Sequence, residues 1–330
     1  MPSEFTRLSL PSVPGYNATA AAGGGSSSGM HLAARRTRRK GLGLAGLSAV
    51  AFALMTLLVR MLSDQGFTAL QIMAWRCIVQ TVAASLASLA IGVRPLHVPQ
   101  GWRNFRWVLV RAVCGGLGHL LYYAALAHLP MGVATVLFFT NPLWTALVAR
   151  WALDEPFDRR QRWLALTCLL GIALVVAPSS PLLLLLGGAS AWSLAALLGA
   201  LSVAVAYVSI RLAGRAVHPM VHVVYFGIVG AVGNTAASLW LAGEPWRWPD
   251  AAVAAWAMVG GVGVMAFLAQ FLMNWGLQLA SAGPVVMMRN VDIAIGFVLD
   301  AALYQTVPSA ASSVGAAVIA FCVISMGASG

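Results

Sequence analysis

Two charged residues stand three apart in an otherwise apolar stretch near the C-terminus, Arg289 and Asp292. On a helix they share a face and can pair. Arg76 and Gln80 lie four apart in a second apolar stretch, and His119 and Tyr123 in a third, with Tyr122 beside them. Gln270, Asn274 and Gln278 recur at every fourth residue, which makes one polar stripe on a helix. Asn141 adds an amide to a further apolar run, and Asn290 and Met287–Met288 flank the Arg/Asp pair. These groups offer fixed charge and hydrogen bonds, with nothing that places a nucleophile beside a base. Their chemistry is the holding of a polar solute. The same groups can instead bond helix to helix, and residue type and spacing leave both roles open. Arg111, closer to the start of its run, is expected to snorkel to the surface.

Other motifs imitate chemistry. Gly41-Leu-Gly43-Leu-Ala-Gly46 matches a dinucleotide fingerprint by letter, but a basic run precedes it where a strand is required. Small residues for close helix packing explain it better. Gly25-Ser-Ser27-Ser-Gly29 spells a nucleophile elbow inside a low-complexity stretch with no strand-to-helix turn. No HExxH and no Walker lysine occurs. The four cysteines sit in apolar runs without a CxxC, so neither a disulfide framework nor a zinc site is implied. No cofactor and no metal is expected. Asp154, Glu155 and Asp158 neighbour Arg159, Arg160 and Arg162, and are expected to form a solvated cluster in a short loop.

The elements that carry these residues follow from composition. Hydrophobic residues make up 60% of the chain and charged ones 9%, where a soluble domain holds roughly a quarter charged. A soluble enzyme, a disordered chain and a membrane barrel are excluded. From Gly41 onward there are ten apolar runs of about 18 to 25 residues, each able to cross a bilayer as a helix. They cover approximately 42–62, 68–92, 105–127, 132–151, 161–178, 192–213, 218–242, 253–279, 284–304 and 308–326. Residues 1–40 are expected to be a disordered basic cytosolic tail, rich in Ala, Gly and Ser and ending in Arg35-Arg36-Thr37-Arg38-Arg39-Lys40. That tail reads as a topology signal, or as an organellar transit peptide.

With the N-terminus inside, the connecting segments divide fourteen basic residues to the cytosol against two, Arg60 and Arg247, outside. The net charge of +11 is therefore topology information and not a nucleic-acid footprint. The expectation is a multi-pass integral membrane protein with both termini cytosolic. Its host is a plasma membrane or endomembrane, with an organellar envelope also open. Its partners are a small-molecule substrate and the lipid bilayer, with no nucleic acid; a homodimer is allowed but not required.

Sliding the chain on itself by 151 residues aligns the ten runs without a gap. Arg60 falls on Arg211, Gly92 on Gly243, Leu126 on Leu277 and Gly132 on Gly283. His119 falls on Gln270, Tyr123 on Asn274 and Asn141 on Asp292. Each unit holds five spans, an odd number, so the second must lie upside down relative to the first. The fold expected is an all-α membrane protein of ten transmembrane helices, as two inverted five-helix repeats at 41–178 and 192–327. Inverted repeats are a signature of secondary transporters with a midplane site between the halves. Arg76, Gln80, His119, Tyr123, Asn141, Gln270, Asn274, Arg289 and Asp292 are the expected lining of that site.

The stretch from Leu126 to Val176, with Met131-Gly132-Val-Ala, Asn141-Pro142, Asp154-Glu155-Pro156, Gln161 and Gly171, resembles the EamA-type drug/metabolite transporter superfamily. Arg60, Arg76 and Arg111 stand where that family commonly carries basic residues. Arg289-Asn290-Val-Asp292, followed by Pro308 and Gly315, is similar to its solute carrier 35 G-like branch. The likeness spans about residues 42 to 327. The second half departs from it at Gln305-Thr306-Val-Pro308, which lacks the acid present at Glu155. The resemblance implies a carrier with a central cavity and no enzyme activity, in a superfamily that moves amino acids, nucleotide sugars, phosphorylated sugars and drugs. Two arginines, Arg76 and Arg289, against one carboxylate, Asp292, favour an anionic or zwitterionic solute. A nucleotide-sugar carrier of the same superfamily, or a membrane enzyme acting on a lipid or acyl substrate, are the alternatives.

Overall fold

The computed structural model describes residues 27–99, 101–129, 131–176, 191–241, 246, 248–249, 253–304 and 309–328. Among these every regular element is helical. In chain order they are α1 (Ser27–Asp64), α2 (Ala69–Ala90), α3 (Trp102–His128), α4 (Met131–Phe138), α5 (Asn141–Leu153) and α6 (Arg159–Val176). Then follow α7 (Ala191–Ala213), α8 (Pro219–Ala236) with a π-helical turn at Ala237–Leu241, α9 (Val253–Leu279), α10 (Ala282–Arg289), α11 (Val291–Tyr304) and α12 (Ala310–Ala328). Seven helical segments are long and apolar enough to cross a membrane. The other apolar runs fall on α6, on α10 with α11, and on α12, none of which meets both measures.

Helix ends follow local chemistry. Thr68 and Gln71 form a capping box at the start of α2, each side chain bonding the other's backbone N–H at 3.4 Å. Pro142 and Pro219 stand in the first turns of α5 and α8, where a missing N–H costs nothing. Asp158 caps α6 through Gln161 N at 2.8 Å.

The helix α1 starts well before its apolar stretch. The basic run Arg35–Lys40, expected within a disordered tail, is helical from Ser27 onward. Ala, Leu, Arg and Lys are good helix formers, and here they extend a helix already nucleated by the apolar segment. Residues 1–26 and 305–308 and Arg247 lie outside the described residues. Two of the expected spans are broken: α4 and α5 part at Phe139–Thr140, and α10 and α11 at Asn290.

The outer surface is apolar. Leu86, Trp151, Phe321 and Ile324 are exposed by 63% or more, while Gln80, Asn141, His222 and Asn274 are fully buried. That inversion of the soluble pattern suits a lipid surround, and the chain is a multi-span integral membrane protein. Inside, α3 packs along α7, α1 along α9, α2 along α8 and α6 along α12. Small residues allow the closest approaches. A Cβ on Gly118 would come within 2.8 Å of the Gly199 carbonyl oxygen, and one on Gly199 within 2.9 Å of that of Gly118. Gly41 packs on Ala280 and Gly276 in the same manner, the role its small-residue motif suggests.

Candidate functional site

The interior of the bundle collects arginines from three helices. Arg289 ends α10 and Asp292 opens α11, so each charge sits at the helix end whose dipole it complements. Their guanidinium and carboxylate are 3.5 Å apart and both residues are buried. Arg289 also donates to the Tyr207 hydroxyl at 3.4 Å and lies over the Phe52 ring, 4.5 Å from its centroid.

Arg111 of α3 is 2% exposed and donates from Nη2 to Gln270 Oε1 of α9 at 2.8 Å. Its guanidinium covers the Phe226 ring at 4.6 Å and faces Tyr207 at 5.8 Å. Tyr207 on α7 thus offers its ring to Arg111 and its hydroxyl to Arg289. The expectation that Arg111 snorkels is corrected by this burial: the helix begins at Trp102, so Arg111 lies more than two turns inside it. From that depth its side chain turns inward to an amide and two rings, because hydrocarbon offers a charge nothing.

Arg76 on α2 is 3% exposed. Its Nη1 reaches only the Met73 sulfur, at 3.0 Å, and Nε and Nη2 find no partner among the described residues. Arg76, Arg111 and Arg289 all lie within Coulomb reach of His119. His119 sits between Phe138 and Phe226, with ring centroids 6.0 and 5.7 Å away. Its Nδ1 is 2.7 Å from the Gly115 carbonyl, so Nδ1 carries a proton and donates. Tyr122 stacks on Phe138 at 4.2 Å and bonds Thr135 Oγ1 at 3.1 Å. His119, Tyr122 and Tyr123 are each partly buried. Gln80 donates to the Val223 carbonyl at 3.5 Å, and its Oε1 has no partner among the described residues.

The polar stripe on α9 divides. Gln270 serves Arg111. Asn274 donates to the Pro219 carbonyl at 3.4 Å, and Gln278 to those of Gly214 and Val217 at 3.2 and 2.8 Å. These last two fasten the turn between α7 and α8. Asn141 likewise donates to the Phe138 carbonyl at 3.1 Å, satisfying backbone freed by the break between α4 and α5.

Sequence reasoning passed over Tyr207 and His222. His222 is fully buried, stands within Coulomb reach of Arg111, and neither ring nitrogen has a partner among the described residues. A His or Tyr in an apolar span, the cue that singled out His119, was available for both.

Glu155 is not in the solvated cluster that its neighbours suggest. It pairs with Arg211 of α7 at 2.5 Å and accepts from Ala282 N at 2.9 Å. Arg211 also donates to the carbonyls of Leu277, at 2.8 Å, and Ala280. One acid beyond α5 is thereby bolted to the ends of α7 and α9 and the start of α10. At the turn beside this bolt, burial lowers the Arg215 guanidinium below its ordinary value, with Arg211 adding to the effect.

Residues 39–177 match the EamA-like transporter family. The pseudopaline exporter CntI of Pseudomonas aeruginosa is 27% identical over 292 residues, covering 87% of this chain and 96% of its own. Solute carrier family 35 member G1 of Homo sapiens is 26% identical over 289 residues, or 82% of this chain and 77% of its own. The probable 4-amino-4-deoxy-L-arabinose-phosphoundecaprenol flippase subunit ArnE of Pectobacterium atrosepticum is 38% identical over 84 residues, which is 25% of this chain and 68% of its own.

Proposed function

The chain belongs to the EamA-like transporter family and is not an enzyme, and from that premise we propose that it is a secondary transporter of a small anionic or zwitterionic metabolite. The observation that carries this is that Arg76, Arg111 and Arg289, all buried, lie within Coulomb reach of His119, while among the described residues Asp292 is the one carboxylate paired with any of them. Fixed positive charge in low dielectric attracts an anion far more strongly than the same charge in water. Gln80, Tyr123 and Gln270 line the proposed site, and Asn141 and Asn274 support it by holding backbone.

Transport proceeds by alternating access between ten spans arranged as two inverted five-helix units. Contacts related by the offset of 151 support this. Gly118 meets Gly199 where α3 crosses α7, and Ser48 donates to the Ala269 carbonyl at 2.8 Å where α1 crosses α9. Adding 151 to 48 and to 118 gives 199 and 269, so one crossing is the image of the other with partners exchanged. The helix breaks at 139–140 and 290 stand in the same relation. The start of α3, with Arg103 and Arg106, lies beside the end of α7, and Glu155 joins that end too. We take a basic end of this kind as the cytosolic end, and with ten spans both termini then lie on that side.

Counterflow in proteoliposomes tests the proposal. Labelled metabolite inside the cytosolic-like lumen is expected to exchange with the same solute outside for the wild type. The Arg76→Ala protein, folded and inserted, is expected to show no exchange. Undiminished exchange by that variant counts against the site.

A further inference from the structure

We infer that the cargo carries two negative charges, as a dicarboxylate or a phosphate monoester does. This rests on the carrier function proposed above and narrows its substrate class. The three guanidiniums are not equivalent. Arg289 has its countercharge in Asp292, 3.5 Å away. Among the described residues Arg111 has only the neutral Gln270 amide and two ring faces, and Arg76 only a thioether. Arg76 and Arg111 also lie within Coulomb reach of one another. Two buried like charges without counterions are an unfavourable arrangement. It persists where a ligand of matching charge supplies what the protein omits.

The hydrogen-bond pattern points the same way. The atoms of Arg76 that lack partners among the described residues are Nε and Nη2. Together they form one side of the guanidinium fork, the edge that takes a carboxylate or phosphate through two parallel bonds. Arg111 Nε likewise lacks a partner among the described residues. A singly charged acid fills one fork and leaves the second cation stranded. A dianion, through one phosphoryl group or two carboxylates, fills both. Buried apolar groups adjoin each cation, Phe226 against Arg111 and Met73 against Arg76, and a low-dielectric surround screens charge little.

Thermal melting of the purified full-length protein in detergent tests this at matched ionic strength. The probes are succinate, glycerol phosphate and sulfate, against lactate, alanine and nitrate. Succinate or glycerol phosphate is expected to raise the melting temperature above the nitrate control, with lactate and alanine doing less. Succinate against glycerol phosphate tells two carboxylates from one phosphoryl group, and a shift by sulfate with neither organic dianion active overturns the inference. In Arg76→Gln and in Arg111→Gln the better organic dianion is expected to bind about tenfold or more weakly, the worth of a charge-assisted contact. Arg76→Gln without ligand is expected to melt no lower than the wild type, because a repulsion is gone; a purely structural Arg76 gives the opposite. Should lactate or alanine stabilise as well as the dianions, or none of the dianions exceed nitrate, the inference falls. Counterflow of a singly charged solute alongside that result leaves the carrier function standing.

Discussion

Replacing Glu155 by Gln isolates the charge in the bolt at the basic end. The glutamine keeps an oxygen for Ala282 N but removes the anion that faces Arg211 at 2.5 Å. Arg211 retains the Leu277 and Ala280 carbonyls, so its guanidinium is not stranded. Breaking a buried ion pair costs about 3–5 kcal/mol. The two side chains here are 18% and 11% exposed, so water recovers part of that. We expect a loss of about 2 kcal/mol. A double-mutant cycle with Arg211→Met, read by unfolding titration in mixed micelles, is expected to give a coupling of about 1.5–3 kcal/mol. A coupling below about 0.5 kcal/mol would place the pair among surface ion pairs and refute its role as a bolt. Because the pair ties the segment after α5 to α7 and α10, Glu155→Gln is also expected to raise labelling of the chamber from the basic end.

Other outcomes follow from single contacts. A Cβ on Gly118 meets Val203 Cγ2 at 2.6 Å and a backbone oxygen at 2.8 Å; Gly118→Ala is expected to lower stability by about 1–3 kcal/mol as an overpacked site, measured by the same titration. Gln270→Leu leaves Arg111 without its polar partner and is expected to cost about 1–3 kcal/mol, while the isosteric Gln270→Glu retains folding and, by cancelling one cation, reduces anion uptake. His218 caps α8 by accepting from Met220 N through Nδ1, and burial lowers its pKa below the ordinary histidine value. The unfolded chain therefore takes up the proton first, so this cap stabilises above pH ~6.5 and its contribution fades as pH falls through the lower folded value. Melting curves between neutral and acidic pH are expected to show that loss, and His218→Asn, which keeps a cap without titrating, is expected to flatten it.

Local chemistry was legible in the sequence, and long-range chemistry was not. Arg289 and Asp292 are three apart, so helix geometry alone brings them together. Among the described residues the runs fall on helical segments, seven of them long and apolar enough to cross a membrane, because apolar length is a one-dimensional property. Arg111 and Gln270 are 159 residues apart, and no local pattern joins them. The stripe Gln270–Asn274–Gln278 was recognisable as one face, yet which neighbour that face meets is decided by how α7 and α8 turn. Glu155 was misread for the same reason, since three arginines close in sequence concealed a fourth, Arg211, close in space. The break at Phe139–Thr140 left Thr140-Asn141-Pro142 as its trace, a short polar dip within one apolar run.

The central claim, a charged chamber reached in turn from either side of the membrane, is tested most directly at His119, which is half-buried against Phe138 and Phe226. With the four native cysteines replaced, His119→Cys is placed in oriented vesicles and exposed to an impermeant thiol reagent from one face or the other. We expect modification from both faces. Cross-linking cysteines at positions 155 and 211 is expected to abolish modification from the basic end and leave the other unchanged. Modification from one face alone in the unlocked protein, or equal modification from both after cross-linking, contradicts alternating access.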